Sequence, residues 1–277
     1  MRTISKPTIN PATIFSKCLN SISSRTQRNK FRRIKNHIIT QSKDFDNKAS
    51  VGILYTITIH DDVLGITKDE MKKLYTEQMV PIEKKKGRKI YDSLMSLAPL
   101  SKCPFCGIGT VRTLDHYLPK AKFPTYSVLS YNLIPCCMEC NKDKNVDYAT
   151  VQEKQTLHPY YDDYTSEQWL FAKVKQTSPV SISFFVNAPN EWDLIEKSRV
   201  KEHFIEYNLG KRFSIQSSNE LANLKEEFTL FPLNKDDIKK ELNKKATIFK
   251  KRHLNSWESA LYQALVESDW YCSGRYN

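Results

Sequence analysis

Four cysteines fall into two pairs with a two-residue gap, Cys103 with Cys106 and Cys137 with Cys140. A CxxC turn lets two thiolate sulfurs converge on one ion at about 2.3 Å, so two such turns close a tetrahedral shell around Zn²⁺. Pro104 stiffens the first turn, and Gly107 lets the backbone fold back beneath a metal. Cys136 competes with Cys137 for the fourth position, but only Cys137 has the two-residue spacing to Cys140. Cys18 and Cys272 have no partner in view and read as incidental thiols. Between and just after the two turns stand Asp115, His116, Asn132 and Asn141. The oxygens of Asp115 and Asn141 are hard donors suited to Mg²⁺ or Mn²⁺. His116, with an ordinary pKa of about 6.5, can serve as a base at neutral pH.

Taken singly, each of these residues has a plain structural reading: a core histidine, a turn-capping aspartate, loop and helix-end asparagines. Their joint order is more specific. The stretches Thr113-Leu-Asp-His-Tyr-Leu-Pro-Lys120, Tyr131-Asn-Leu-Ile-Pro135 and Cys137-Met-Glu-Cys-Asn-Lys-Asp-Lys144 resemble the HNH endonuclease family over about residues 101 to 146, roughly a sixth of the chain. The resemblance implies a ββα-metal fold, with the Asp-His pair on the first strand, Asn132 orienting the His-bearing loop, and a metal ligand after the second CxxC. It also implies hydrolysis of DNA, with RNA left open. Asn141 stands where many members carry His, and Asn145 one turn later competes for the same role. Phosphodiester hydrolysis needs a deprotonated water and neutralised phosphate charge, which one metal and one base can supply. Neighbouring residues on a strand point to opposite faces, so Asp115 and His116 can serve one phosphate only if the strand bends or ends there. Pro119 is consistent with such an ending.

The elements that must carry these residues are mostly helical. Thr67 with Glu70 forms a capping box that predicts a helix to about Met79, and a second helix is expected from Arg88 to Leu97. Gly52 to Ile59 reads equally as strand or buried helix. Gln168–Val174 and Val180–Val186 predict two strands that could pair. Helices are expected over Glu191–Tyr207, Ile215–Glu227, Asp236–Lys251 and Ser256–Glu267, with Asn208-Leu-Gly210 stopping the first. The turn-like His158-Pro-Tyr-Tyr-Asp-Asp163 and the helices after it are similar to the region C-terminal to the nuclease core in bacterial defence-associated HNH proteins. Those proteins act beside an ATPase or sensor subunit, which would make this chain an anti-phage effector. His158 is a weak candidate for support of the site.

The chain of 277 residues carries 43 Lys+Arg against 31 Asp+Glu, a net +12, and residues 1–50 alone hold +9. Arg25, Arg28, Lys30, Arg32, Arg33 and Lys35 are therefore expected to meet a polyanion through counterion release, with Lys120, Lys142 and Lys144 adding phosphate contacts near the core. A solvated charged face is the competing reading. An N-terminus rich in Ser and Arg also fits a transit peptide, although Ile14, Phe15, Cys18, Leu19 and Ile22 recur at a spacing that equally suits a packed helix. The seven glycines form neither GxxxxGK nor GxGxxG, which excludes the common nucleotide cradles. The longest apolar run, Val51 to Ile59, is half of the roughly 18 residues a membrane span needs. The expectation is thus an α+β cytoplasmic protein with no membrane partner: a basic arm (1–50), a helical lead-in (51–100), a zinc-stapled HNH core (101–160) and a mainly helical region (161–277). A zinc ribbon that binds nucleic acid without turnover is the alternative.

Overall fold

The computed structural model describes residues 1–83 and 86–275. The chain is α+β and divides into two compact units, Arg2–Asp162 and the residues from Asp163 onward.

The first unit opens with α1 (Pro11–Leu19), α2 (Arg25–Arg33) and α3 (Lys35–Ser50). The cap signals are local: the Asn10 side chain accepts from the Ala12 amide, and Ser24 from that of Gln27. Residues 1–50 are accordingly packed helices, not an arm. Ile14, Phe15, Cys18, Leu19, Phe31, Ile34 and Ile38 are buried in one core with Met71, Leu74, Ile90, Leu94, Leu114 and Leu133. The stretches 1–50, 51–100 and 101–160 therefore belong to a single unit.

Gly52 to Ile59 is neither strand nor helix beyond one 3-10 turn at Leu54–Thr56. Gly52, at φ +68°, turns the chain out of α3. The Gln155 side chain accepts from the Tyr55 amide and Gln152 donates to the Gly52 carbonyl, so side chains supply partners that a strand neighbour would otherwise provide. A short ladder of β1 (Asp62–Val63) and β2 (Ile66–Thr67) then leads into α4 (Lys68–Thr76). Both halves of the Thr67–Glu70 capping box are formed. After α5 (Arg88–Met95) come β3 (Thr113–His116) and β4 (Leu133–Cys136), antiparallel, with Asp115 opposite Ile134 and His116 opposite Leu133. Directly after β4 runs α6 (Met138–Lys144).

The second unit is built on the antiparallel pair β5 (Leu170–Lys175) and β6 (Ser181–Val186). It continues with α7 (Leu194–Glu206), α8 (Leu209–Leu230), α9 (Lys235–Arg252), α10 (Trp257–Glu267) and α11 (Asp269–Cys272). α10 packs on β5, α8 on β6 and α9 on α10, burying Trp169, Leu170, Phe213, Leu224, Leu242, Leu261 and Tyr262. The break between α7 and α8 is made by Asn208 alone, left-handed at φ +48°. Gly210 is no stop: it lies inside α8, where an added Cβ would come within 3.1 Å of the Phe204 ring. Among the described residues no helix is long and apolar enough to cross a membrane.

Candidate functional site

The two CxxC turns meet. Cys103, Cys106, Cys137 and Cys140 are all buried, and their four sulfurs lie within 4.8 Å of one another. Local backbone explains the convergence. Gly107, at φ +74°, donates to the Cys103 carbonyl at 2.7 Å, and the Gly109 amide donates to Cys106 Sγ. Cys137 caps α6 with its own sulfur, which accepts from the Cys140 amide. The Cys106 and Cys137 sulfurs are 3.8 Å apart, about the edge of a tetrahedron of sulfurs placed 2.3 Å from a central zinc. The hydrogen bond with Cys103, first among its causes, holds the Cys137 thiol below its ordinary pKa. The four cysteines could hold a zinc ion, and the donor set and spacing fit that metal. Cys136 is buried but outside the cluster, facing Asp115, while Cys18 is a core thiol pushed up to about 12 by burial.

A cavity of about 310 Å³ is lined by Asp115, His116, Lys120, Asn145 and Asn141, the residue after Cys140, together with Lys72 and Tyr75 of α4. Asp115 and His116 line it along with the two residues before them in β3, Thr113 and Leu114. The His116 ring is buried, its Nε2 lies 2.9 Å from the Ser127 carbonyl, and it packs edge-on against Tyr75. A carbonyl can only accept, so Nε2 carries the proton and Nδ1 the lone pair. Burial, reinforced by Lys120 and Lys144, holds this imidazole well below its ordinary pKa, hence neutral at physiological pH. Asp115 is likewise buried, which raises its pKa against the pull of Lys144. Its Oδ2 makes no hydrogen bond, although Lys144 Nζ is 3.3 Å away. Asn141 and Asn145 line the same cavity as this carboxylate.

Asn132 does not line the cavity. It is fully buried, accepts from the Leu118 amide at 2.7 Å and donates to the carbonyls of Leu118 and Tyr126, which ties down the loop leaving His116. Two expectations for phosphate contacts need correction near the core and on α2. Lys144 is no surface cation: it is buried and donates to the His116 carbonyl at 2.7 Å. On α2, Arg28 donates to the Ile22 and Ser23 carbonyls and Lys30 pairs with Glu70 at 2.7 Å, so both are engaged internally. Arg25, Arg32, Arg33 and Lys142 are exposed, Lys35 is half-buried, and Lys120 sits over the Tyr75 ring. His158 is packed among Phe45, Tyr117, Tyr160 and Tyr161 and takes no part in the cavity. Lys72 and Tyr75 escape a reading of the sequence. Their three-residue spacing puts them on one helix face, but nothing in that spacing says which loop the face meets.

No family model matches the chain, and no solved structure matches it. The chain is similar to Protein ea31 of Escherichia phage lambda, with 30% identity over 296 aligned residues that span 95% of this chain and 98% of the phage protein. The chain belongs to the Protein ea31 family.

Proposed function

We propose that this chain is a metal-dependent endonuclease of HNH type acting on DNA, with its reaction centre in the cavity lined by Asp115, His116 and Asn141. One observation carries the reading: Asp115, His116 and Asn141 line the same cavity as two lysines from separate elements, Lys72 and Lys120. The run β3, β4, α6, stapled by the cysteines, supports a ββα-metal core.

His116 Nδ1 takes a proton from water, while Nε2–H stays fixed on the Ser127 carbonyl, so the ring is held in one tautomer and one orientation. Burial holds its pKa low, so the ring is unprotonated at neutral pH. Lys120 and Lys72 offset phosphate charge. Asp115 and Asn141, or Asn145, would hold Mg²⁺ or Mn²⁺, which supplies Lewis-acid stabilisation of the phosphate and the departing oxygen when bound. Arg25, Arg32, Arg33, Lys35 and Lys142 contact phosphates without reading sequence. A cytoplasmic defence setting beside an ATPase or sensor subunit belongs to the same proposal and rests on the residues from His158 to Asp163 and the helices C-terminal to them.

One observation favours the second reading, a non-catalytic zinc ribbon: the Lys144 ammonium already compensates Asp115 without a metal. His116→Ala separates the two. The nuclease reading expects cleavage to fall about 10²-fold or more while DNA affinity stays within a few-fold. A ribbon expects no cleavage by either protein.

A further inference from the structure

The positive charge of this chain sits in two places. Residues 1–50 carry +9 and α9 carries +5 from eight Lys/Arg and three Asp/Glu, against +12 for the whole chain, so everything else is slightly acidic. On α9 the charge is also ordered. Ile238 and Leu242 are buried against the unit's core, and Phe249 stacks on Tyr262 of α10 at 5.3 Å. At 100° per residue, Lys240, Lys244, Thr247 and Lys251 fall within a fan of about 60° on the opposite face, spread over about 16 Å of helix. All four are exposed, as are the flanking Lys250 and Arg252. Among the described residues Lys240, Lys250, Lys251 and Arg252 make no ion pair, while Lys235 and Lys239 are engaged by Asp269 and Lys245 by Glu227. Lys244 pairs only with Glu241 on the same helix, an exposed contact of little strength.

We infer that the outer face of α9 is a docking surface for the sugar-phosphate backbone of duplex nucleic acid, with Lys240, Lys244 and Lys251 as its central contacts. A membrane surface suits it poorly. A helix that lies in a bilayer interface needs its apolar face free, and that face of α9 is covered, leaving only Ile248 outward. A protein partner would call for aromatic or aliphatic anchors at the centre of the patch, where α9 offers lysines and a threonine. Helix-dipole compensation accounts for cations in the last turn only, and Lys240 and Lys244 lie two to three turns earlier. The inference shares with the nuclease reading the choice of nucleic acid as ligand, and nothing else in it depends on turnover.

The test uses the full chain in EDTA, a fluorescent 20-base-pair duplex and anisotropy between about 50 and 200 mM salt. The triple variant Lys240→Ala, Lys244→Ala, Lys251→Ala should reduce the slope of log K against log salt by roughly 2 to 3 units, at about 0.9 per lost phosphate contact. Two unrelated duplex sequences should be weakened alike. The single variant Lys251→Gln, at an exposed helix end, should weaken binding measurably while the melting temperature falls by no more than a few degrees, the loss of one dipole-compensating cation. An unchanged slope overturns the inference, as does a triple variant that loses binding to phosphatidylserine vesicles while duplex binding is intact. A full chain that binds duplex with this slope change yet never cleaves would remove the nuclease reading and leave the docking surface standing.

Discussion

Asn132 and Lys144 are both fully enclosed polar side chains that bond to backbone on either side of the same short segment. Asn132 fixes Leu118 through two hydrogen bonds and Tyr126 through a third, and Lys144 fixes the carbonyl of His116. Asn132→Ala takes the partner from the buried Leu118 amide and carbonyl, so a loss of about 2 kcal/mol or more is expected in urea unfolding. Cleavage should fall with it. Lys144→Met removes the 3.3 Å ion pair of the buried Asp115 carboxylate, leaving it only the field of Lys120, and should be more destabilising than Asp115→Asn. In the double variant the two losses should fail to add, with a coupling of about 1 kcal/mol or more in a double-mutant cycle. Additive losses would mean that the 3.3 Å approach carries no energy. Of this residue network the sequence showed Asp115, His116 and Asn132 through their order. It did not show Lys144 as internal, because a lysine next to other lysines reads as surface until the helix that carries it is placed.

The elements differ in how openly their residues announce them. α9 and α10 follow apolar spacing with a polar cap in front, Asn234 and Ser256, and lie within a residue or so of the expected bounds. The β5–β6 pair likewise follows its alternation. α2 is different, since Phe31 is its one fully buried residue amid five cations, and charge hides its role in the core. Its six basic positions, counting Lys35 just beyond its end, therefore divide. Lys30→Ala should cost under about 1 kcal/mol, as expected of a half-exposed ion pair, and leave the salt dependence of DNA binding unchanged. Neutralising Arg25, Arg32 and Arg33 together should flatten the salt slope by roughly 2 to 3 units with little change in melting. The capping box of α4 has its own signature: Thr67→Ala should lower stability by about 1 kcal/mol in chemical denaturation. Because α4 carries Lys72 and Tyr75 to the cavity, some loss of turnover should accompany it.

For the whole molecule, the zinc-competent cluster lies within the first unit, and the second unit has a core of its own around Trp169, Leu224, Leu261 and Tyr262. Cys137→Ser should release zinc and lower the melting of residues 2–162 sharply, since four thiolates contribute on the order of 10 kcal/mol of apparent binding free energy in zinc peptides. Cys136→Ser should keep its zinc, and metal analysis of both variants checks the assignment. What the sequence left closed at this scale was the joining of residues 1–160 into one unit, because the contacts that join them, such as Phe31 with Phe15 and Tyr75 with the Leu114 carbonyl, link segments tens of residues apart or across a charged helix. The proposed DNA cleavage belongs to the cavity lined by Asp115, His116 and Asn141. Supercoiled plasmid incubated with the purified chain in Mg²⁺ or Mn²⁺ should be nicked or linearised, EDTA should stop it, and His116→Ala should be slower by about 10² or more under the same conditions. Equal cleavage by His116→Ala and the unaltered chain, or none by either with zinc bound and the fold intact, would contradict the account.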